Sequence, residues 1–157
     1  MKKGFTLVEL MMVMVVMAII ATLATGAAMK SIKQAKEQRI EATRSALEMA
    51  LMNYRASDGN WPDGGESQNG GTNTVFKGEA NAQVFGPLLR STKKAYLDPS
   101  GLLTKASGKG VISVREAMSG EPNYDYPIGY PNPDNGNDFK YYTVRINLEY
   151  DTVKVER

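Results

Sequence analysis

The sequence predicts an α+β protein in which one long N-terminal helix packs on a small C-terminal antiparallel sheet. Two patterns predict the helix: residues 10–29 are almost wholly apolar, and apolar side chains then recur at a helical period over 30–57. One pattern predicts the sheet, because apolar and polar residues alternate over 142–148 and again over 152–156. A two-stranded ribbon is marginally stable by itself, so we expect it to lie on the helix.

The apolar run over residues 10–29 has the length of a membrane-spanning helix. Twenty residues at ~1.5 Å each give ~30 Å, which matches the hydrocarbon core of a bilayer. Glu9 is the only ionisable side chain between Lys3 and Lys30. A carboxylate at the start of a membrane helix either stays hydrated at the level of the lipid headgroups or marks a functional site with a cationic partner. A cleaved secretory signal is the alternative, although such signals have a shorter apolar region.

The helix is predicted to continue as an amphipathic segment and to end at a turn. The run Asp58–Gly65 contains four glycines or prolines, which is typical of a helix end followed by a turn. We therefore predict one unbroken helix from Phe5 to about Ser57, with Trp61 covering the core beyond it. The apolar side chains predicted to face that core are Ile32, Ala35, Ile40, Leu47, Leu51 and Tyr54.

The middle of the chain has weaker patterns. Residues 63–74 are rich in Gly, Asn, Ser and Thr, which predicts a flexible surface loop. Residues 82–90 are compatible with a short helix that Gly86 and Pro87 interrupt. A short strand is predicted over 111–115, and the run 98–101 is predicted to be a turn.

The composition excludes several classes of function. The chain has 157 residues with no cysteine and no histidine, which rules out disulfides, thiol nucleophiles, Ser/His/Asp triads and Cys- or His-based metal sites. Its 19 basic and 17 acidic residues give a net charge of only +2, so nucleic-acid binding is not expected. Neither paired carboxylates nor a Ser/Lys pair has a local signature here, so we expect no enzymatic activity.

The N-terminal motif resembles a known targeting signal. The run Lys3-Gly4-Phe5-Thr6-Leu7-Val8-Glu9-Leu10, followed by the apolar segment, is similar to the class III prepilin signal of type IV pilins and type II secretion pseudopilins. The resemblance implies that a prepilin peptidase cleaves after Gly4 and methylates the new terminus at Phe5. It also implies that Glu9 is the glutamate used in assembly. Where many members of the family have a proline in the membrane helix, this chain has Gly26.

This resemblance implies a domain organisation and a location. Residues 1–4 are the cleaved leader, 5–29 the membrane and filament-core helix, 30–57 its amphipathic continuation, and 58–157 a periplasmic head. The implied protein is a single-pass subunit of the bacterial inner membrane that polymerises into a helical pseudopilus and drives protein export. Its expected partners are other copies of itself, other pseudopilins, the prepilin peptidase, an inner-membrane assembly platform and membrane lipid.

One loop is a candidate calcium site. Residues 130–138 are dense in short oxygen-bearing side chains around a glycine, and hard cations prefer such ligands. Major pseudopilins bind calcium in a C-terminal loop, so the resemblance makes Asn132, Asp134 and Asp138 candidate ligands. A plain Pro/Asn/Gly turn explains the same composition without a metal.

Two alternatives to a pseudopilin remain open at this point. A type IV pilin used in adhesion, motility or DNA uptake has the same N-terminal signal. Many such pilins close a C-terminal loop with a disulfide, which this cysteine-free chain cannot form. A membrane-anchored periplasmic enzyme or binding module is the other alternative, and about one hundred residues without a catalytic signature argue against it.

Overall fold

The computed structural model describes residues 6–91, 96–121, 124–135 and 137–157, without the side chains of residues 23–27, 66 and 69. The chain divides into an N-terminal unit, Met1–Gln38, and a C-terminal unit, Arg39–Arg157. The first helix, α1, covers Leu7–Asp58, so the division falls within it. The bounds of α1 agree with those of the predicted helix, Phe5 to about Ser57, to within two residues at each end.

The other elements all lie in the C-terminal unit. The remaining helices are α2 (Asn81–Arg90) and α3 (Val114–Gly120). The strands are β1 (Glu66–Gln68), β2 (Asn73–Phe76), β3 (Leu103–Ala106), β4 (Gly110–Ser113), β5 (Gly129–Pro131), β6 (Phe139–Tyr141), β7 (Thr143–Asn147) and β8 (Thr152–Glu156). They form two antiparallel sheets, one in the order β1-β2-β7-β8 and the other in the order β4-β3-β5-β6. The predicted α+β class is confirmed.

The predicted C-terminal hairpin is the centre of the first sheet. Strands β7 and β8 pair antiparallel, with Val144 opposite Val155 and Ile146 opposite Val153. These four side chains are buried, as the alternation in the sequence predicted. From the helix, Leu47 and Leu51 are fully buried in the same core. The ribbon therefore gains its stability by packing on α1.

The edge strand β8 is covered by side chains of α1. The Val155 N–H donates to Glu48 Oε1 at 2.8 Å, and Arg44 donates to the Val155 carbonyl at 3.1 Å. Arg44 and Glu48 also form an ion pair with each other at 2.8 Å. An exposed strand edge is a template for unwanted pairing. Here Glu48 and Arg44 bond to the N–H and the carbonyl of Val155, so another strand cannot pair with these two groups.

The structure corrects three predictions, two in the C-terminal unit and one in the part of α1 that belongs to the N-terminal unit. The segment 63–74, predicted to be a loop, contributes β1 and the start of β2, because β2 pairs along its whole length with β7. The strand predicted over 111–115 ends at Ser113, whose hydroxyl accepts from the Glu116 N–H and begins α3. Ile32 and Ala35 are exposed, so the buried face of α1 begins at Ile40.

The helix α2 is continuous, although Gly86 and Pro87 were predicted to interrupt it. A Cβ atom at Gly86 would overlap the carboxylate of Asp125. That carboxylate forms an ion pair with Arg90, one turn further along α2, at 2.7 Å. Gly86 therefore gives Asp125 room beside the helix and does not break it.

Asn81 and Tyr142 form a buried junction where the two sheets meet. Tyr142 lies between β6 and β7, at the point where the chain passes from one sheet to the other. The fully buried Asn81 amide donates to the carbonyls of Ile128 and Tyr142, each at 2.8 Å, and accepts from the Ile128 N–H at 2.9 Å. The Tyr142 hydroxyl donates to the Ile40 carbonyl of α1 at 3.0 Å, and burial raises the pKa of this phenol. We call these residues the Asn81–Tyr142 junction.

The turn between β7 and β8 is fixed to the end of α1. Asp151, in a left-handed backbone conformation (φ 52°), accepts from Arg55 Nε at 2.9 Å and from Trp61 Nε1 at 2.8 Å. These bonds, first that of Arg55 and then that of Trp61, hold the pKa of the Asp151 carboxyl below its ordinary value. Trp61 packs against the core as predicted, and Arg55 also lies over its ring.

The Asn81–Tyr142 junction yields a stability prediction. Asn81→Ala leaves the Ile128 N–H and the Tyr142 carbonyl buried without their partner, so it should lower the free energy of unfolding by about 2–4 kcal/mol. The exposed Gln83→Ala, on the same helix, is the control and should change it by less than about 0.5 kcal/mol. Urea unfolding of the full chain in detergent, followed by fluorescence of its single tryptophan, measures both. Equal stabilities would show that the junction does not hold the two sheets together.

Candidate functional site: the start of helix α1

The described part of the site begins at Thr6, immediately before α1. Thr6 and Glu9 form a reciprocal capping box: the Thr6 N–H donates to Glu9 Oε2 at 2.8 Å, and the Glu9 N–H donates to Thr6 Oγ1 at 3.3 Å. The Thr6 hydroxyl also donates to Glu9 Oε2 at 2.8 Å. Glu9 therefore stabilises the first turn of the helix through these bonds. The negative charge of its carboxylate is also favourable at a helix N-terminus.

Sequence reasoning had assigned Glu9 to assembly and had missed its bonds to Thr6. The signal was available in the sequence, since Thr-x-x-Glu before an apolar run is the typical pattern of a capping box. The predicted cleavage site at Gly4 and the predicted methylated terminus at Phe5 lie outside the described residues.

The helix that follows is exposed on every side. All described side chains from Thr6 to Thr22 are exposed, and most of them are large and apolar, including four methionines. The polar Thr22 hydroxyl donates to the Ile19 carbonyl of its own helix at 2.8 Å. An apolar helix without a polar face requires a cover of lipid or protein. This is the largest exposed apolar surface in the described part of the N-terminal unit.

No helix within the described residues has both the length and the hydropathy of a membrane span. The segment predicted to span, 10–29, includes residues 23–27, whose side chains lie outside the described ones.

Comparison with known proteins identifies the N-terminal motif. Residues 1–25 match the family described as "Prokaryotic N-terminal methylation motif". The chain carries a class III signal peptide. This signal is typical of type IV pilin-like proteins, which a prepilin peptidase processes and which polymerise with similar subunits. No curated protein and no solved structure gives a significant match to the chain.

The second candidate site, the loop between β5 and β6, brings two of its three predicted ligands together. Asn132 Nδ2 donates to Asp138 Oδ2 at 3.4 Å, and the Asn132 N–H donates to the Asp138 carbonyl at 2.8 Å. Asn132 Oδ1 accepts from the Asp134 N–H at 3.2 Å, which is the hydrogen bond of an Asx turn. These bonds are typical of a Pro/Asn/Gly turn, the alternative that the sequence also allowed.

The calcium hypothesis stays a prediction. Within the described ranges, no group of three acidic, histidine or cysteine side chains is placed to hold one metal ion. Calcium takes 6–8 oxygen ligands, so a site here would need backbone carbonyls and water in addition to Asn132, Asp134 and Asp138.

Thermal unfolding tests the calcium hypothesis. If calcium binds the folded loop, the melting temperature of the chain should rise with the logarithm of free calcium. The double variant Asp134→Asn, Asp138→Asn should abolish that rise, whereas Glu149→Gln in the β7–β8 turn should leave it unchanged. A melting temperature that responds to neither calcium nor chelator would mean that the loop is a turn without a metal.

Proposed function

We propose that this chain is a structural subunit of a type II secretion pseudopilus. In this proposal it is held in the bacterial inner membrane, cleaved after Gly4 by a prepilin peptidase, and polymerised into a helical fibre that drives protein export. The observation that carries the proposal is an exposed apolar helix whose start lies within the N-terminal methylation motif. In this proposal, lipid covers the apolar side chains of the helix before assembly, and the helices of other subunits cover them after assembly.

The membrane stage of the proposal depends on residues 10–29. They contain no ionisable side chain, and twenty residues of helix cover ~30 Å. Thr22, the one described polar residue of this segment, already bonds within its own helix, as an environment without water requires. The C-terminal unit would then lie in the periplasm, where the inner-membrane assembly platform and other pseudopilins are its partners.

The choice of a secretion fibre over a type IV pilus depends on how the C-terminal hairpin is fixed. Many type IV pilins use a disulfide near their C-terminus, and this chain has no cysteine. Here the turn of the hairpin is held by Arg55, Trp61 and Asp151. A type IV pilin for adhesion, motility or DNA uptake is the second candidate, supported by the same N-terminal motif. Loss of protein export, with adhesion and motility unchanged, after deletion of the gene favours the pseudopilus.

A role as an enzyme or a membrane-anchored binding module is the least supported. The chain lacks histidine and cysteine, and several of its described acidic side chains are held in ion pairs, such as Asp125 with Arg90 and Asp151 with Arg55. We propose that it has no catalytic activity.

Processing provides the first test of the proposed function. In the membranes of its host, the mature chain should begin at Phe5, carry one N-terminal methyl group, and lack Lys2 and Lys3, which lowers its formal side-chain charge from +2 to 0. Gly4→Leu should leave the full precursor in the membrane, and Lys3→Arg, which keeps the leader charge, should be processed normally. Intact-mass spectrometry measures all three chains, and an unaltered chain that retains Met1 would refute processing.

Glu9 provides the second test, because the capping box allows its two roles to be separated. In a filament core with little water, a carboxylate needs a cation, and the Phe5 amine of a neighbouring subunit can supply one. Glu9→Gln keeps an oxygen for the Thr6 N–H and removes only the charge. We therefore expect it to preserve cleavage and folding and to abolish fibre growth and export.

The matched control is Thr6→Ser, which retains both the cap and the charge and should assemble normally. Electron microscopy of sheared fibres and an export assay give the readouts. Normal fibres from Glu9→Gln would mean that Glu9 acts through the cap alone, and the proposed ion pair would be wrong.

A further inference from the structure

A cleft of about 970 Å³ lies in the C-terminal unit and is formed partly by the second sheet. Its walls come from the residues around the start of α2, the β3–β4 hairpin, the end of α3, the segment leading to β5, and β6. We call it the hairpin cleft. Its volume is at the upper end of the range for small-ligand sites, ~300–1,000 Å³. The N-terminal methylation motif covers only residues 1–25, so it assigns no role to this cleft.

Four aromatic side chains line the hairpin cleft, in two pairs. The rings of Phe139 and Tyr141 meet edge to face with their centroids 5.3 Å apart, and those of Tyr124 and Tyr126 do so at 5.1 Å. Tyr124 is 60 % exposed, and Phe139 and Tyr141 are half-buried. These three rings therefore keep surface that a ligand in the cleft can contact.

The aromatic rings are held in place without a ligand. The Tyr126 hydroxyl donates to the Ala117 carbonyl at 3.0 Å. A Cβ atom at Gly129 would overlap the Phe139 ring, so the glycine lets this ring lie against β5. The other member of each pair packs on one of these two fixed rings. A ligand would thus lose little free energy in ordering the aromatic side chains.

The charged side chains that line the hairpin cleft have both signs. Among the described lining residues two are basic and three are acidic, namely Lys105, Lys109, Glu79, Glu121 and Asp125. The lining has no excess of positive charge, which disfavours nucleic acids and other polyanions as ligands. A purely apolar ligand is also disfavoured, because it would remove water from these charges without replacing the lost hydrogen bonds.

We propose that the hairpin cleft binds a chain of pyranose sugars. Hydroxyl groups both donate and accept hydrogen bonds, so those of a sugar can bond to ammonium groups and to carboxylates in one site. The C–H groups on one face of a pyranose ring carry a slight positive charge, which the negative face of an aromatic ring attracts. The cleft offers both kinds of contact. Such binding is an additional property of the subunit and involves no catalysis.

NMR titration of the full chain tests this proposal. The detergent must lack a sugar headgroup, as polyoxyethylene detergents do, because a maltoside would compete for the cleft. Either N-acetylchitohexaose or cellohexaose should shift the backbone amide signals of Gly108 and Gly110, which line the cleft, and leave that of Gly59 unchanged. Under the proposed function the cell-wall polysaccharide, a chain of N-acetylated amino sugars, lies in the same compartment. Tighter binding of the first probe would indicate that source, and tighter binding of the second would indicate a plain glucan.

Matched variants show whether the rings of the cleft bind the sugar. Tyr124→Ala removes an exposed ring and should weaken the binding of the tighter probe about fivefold, with the other amide signals unchanged. Tyr150→Ala, in the β7–β8 turn, removes a similarly exposed ring (71 %) and should leave the affinity unchanged.

Three results would overturn the proposal. They are no shift at Gly108 and Gly110 with ~10 mM of either sugar, an unchanged affinity in Tyr124→Ala, and equally tight binding of hexaglutamate, which would identify an anion site. Fibre growth and export are measured separately through Glu9→Gln. Sugar binding can therefore fail while the proposed function stands, and the proposed function can fail while sugar binding stands.

Discussion

A single buried amide links the two sheets of the C-terminal unit. Asn81 satisfies backbone groups of Ile128 and Tyr142, at the position where the chain leaves one sheet and enters the other. Burying an amide is costly unless all of its bonds are made, and here it makes three with good geometry. The Tyr142 hydroxyl then bonds to α1 at Ile40. Two helices and two sheets thus meet at one polar junction inside a mostly apolar core, which favours one way of packing them.

The helix α1 serves two different environments, and its sequence changes accordingly. From Leu7 to Thr22 it is exposed and mostly apolar. In the C-terminal unit it buries Ile40, Leu47, Ala50 and Leu51, and Arg44 pairs with Glu41 and Glu48. Glu9 is the exception at the apolar end. Both of its side-chain hydrogen bonds from Thr6 go to Oε2, so a cation at Oε1 is compatible with the cap. Under the proposed function, one residue begins the helix in the free subunit and sets the register between subunits in the fibre.

Local patterns predicted the elements that depend on local physics. The 3.6-residue and two-residue periods located α1 and the β7–β8 hairpin, because burial on one face imposes those periods. The strands β1 and β2 were missed because the segment around them is rich in Gly and Asn. They form because β2 pairs with β7, more than sixty residues away, and β1 pairs with β2. Gly86 and Pro87 were mistaken for a break because the carboxylate that requires the glycine, that of Asp125, is distant in sequence. At the candidate site, the motif singled out Glu9, and the Thr-x-x-Glu pattern that predicts its bonds to Thr6 was present in the sequence but overlooked.

The structure of the native fibre at side-chain resolution tests the central claim most directly. A helical reconstruction from electron cryo-microscopy should show residues 7–29 of every subunit packed in a dry core. The Glu9 carboxylate should lie about 2.7–3.2 Å from the N-terminal amine of Phe5 in a neighbouring subunit. A fibre in which Glu9 contacts only its own Thr6, or in which the apolar helices remain in lipid outside the core, would contradict the account.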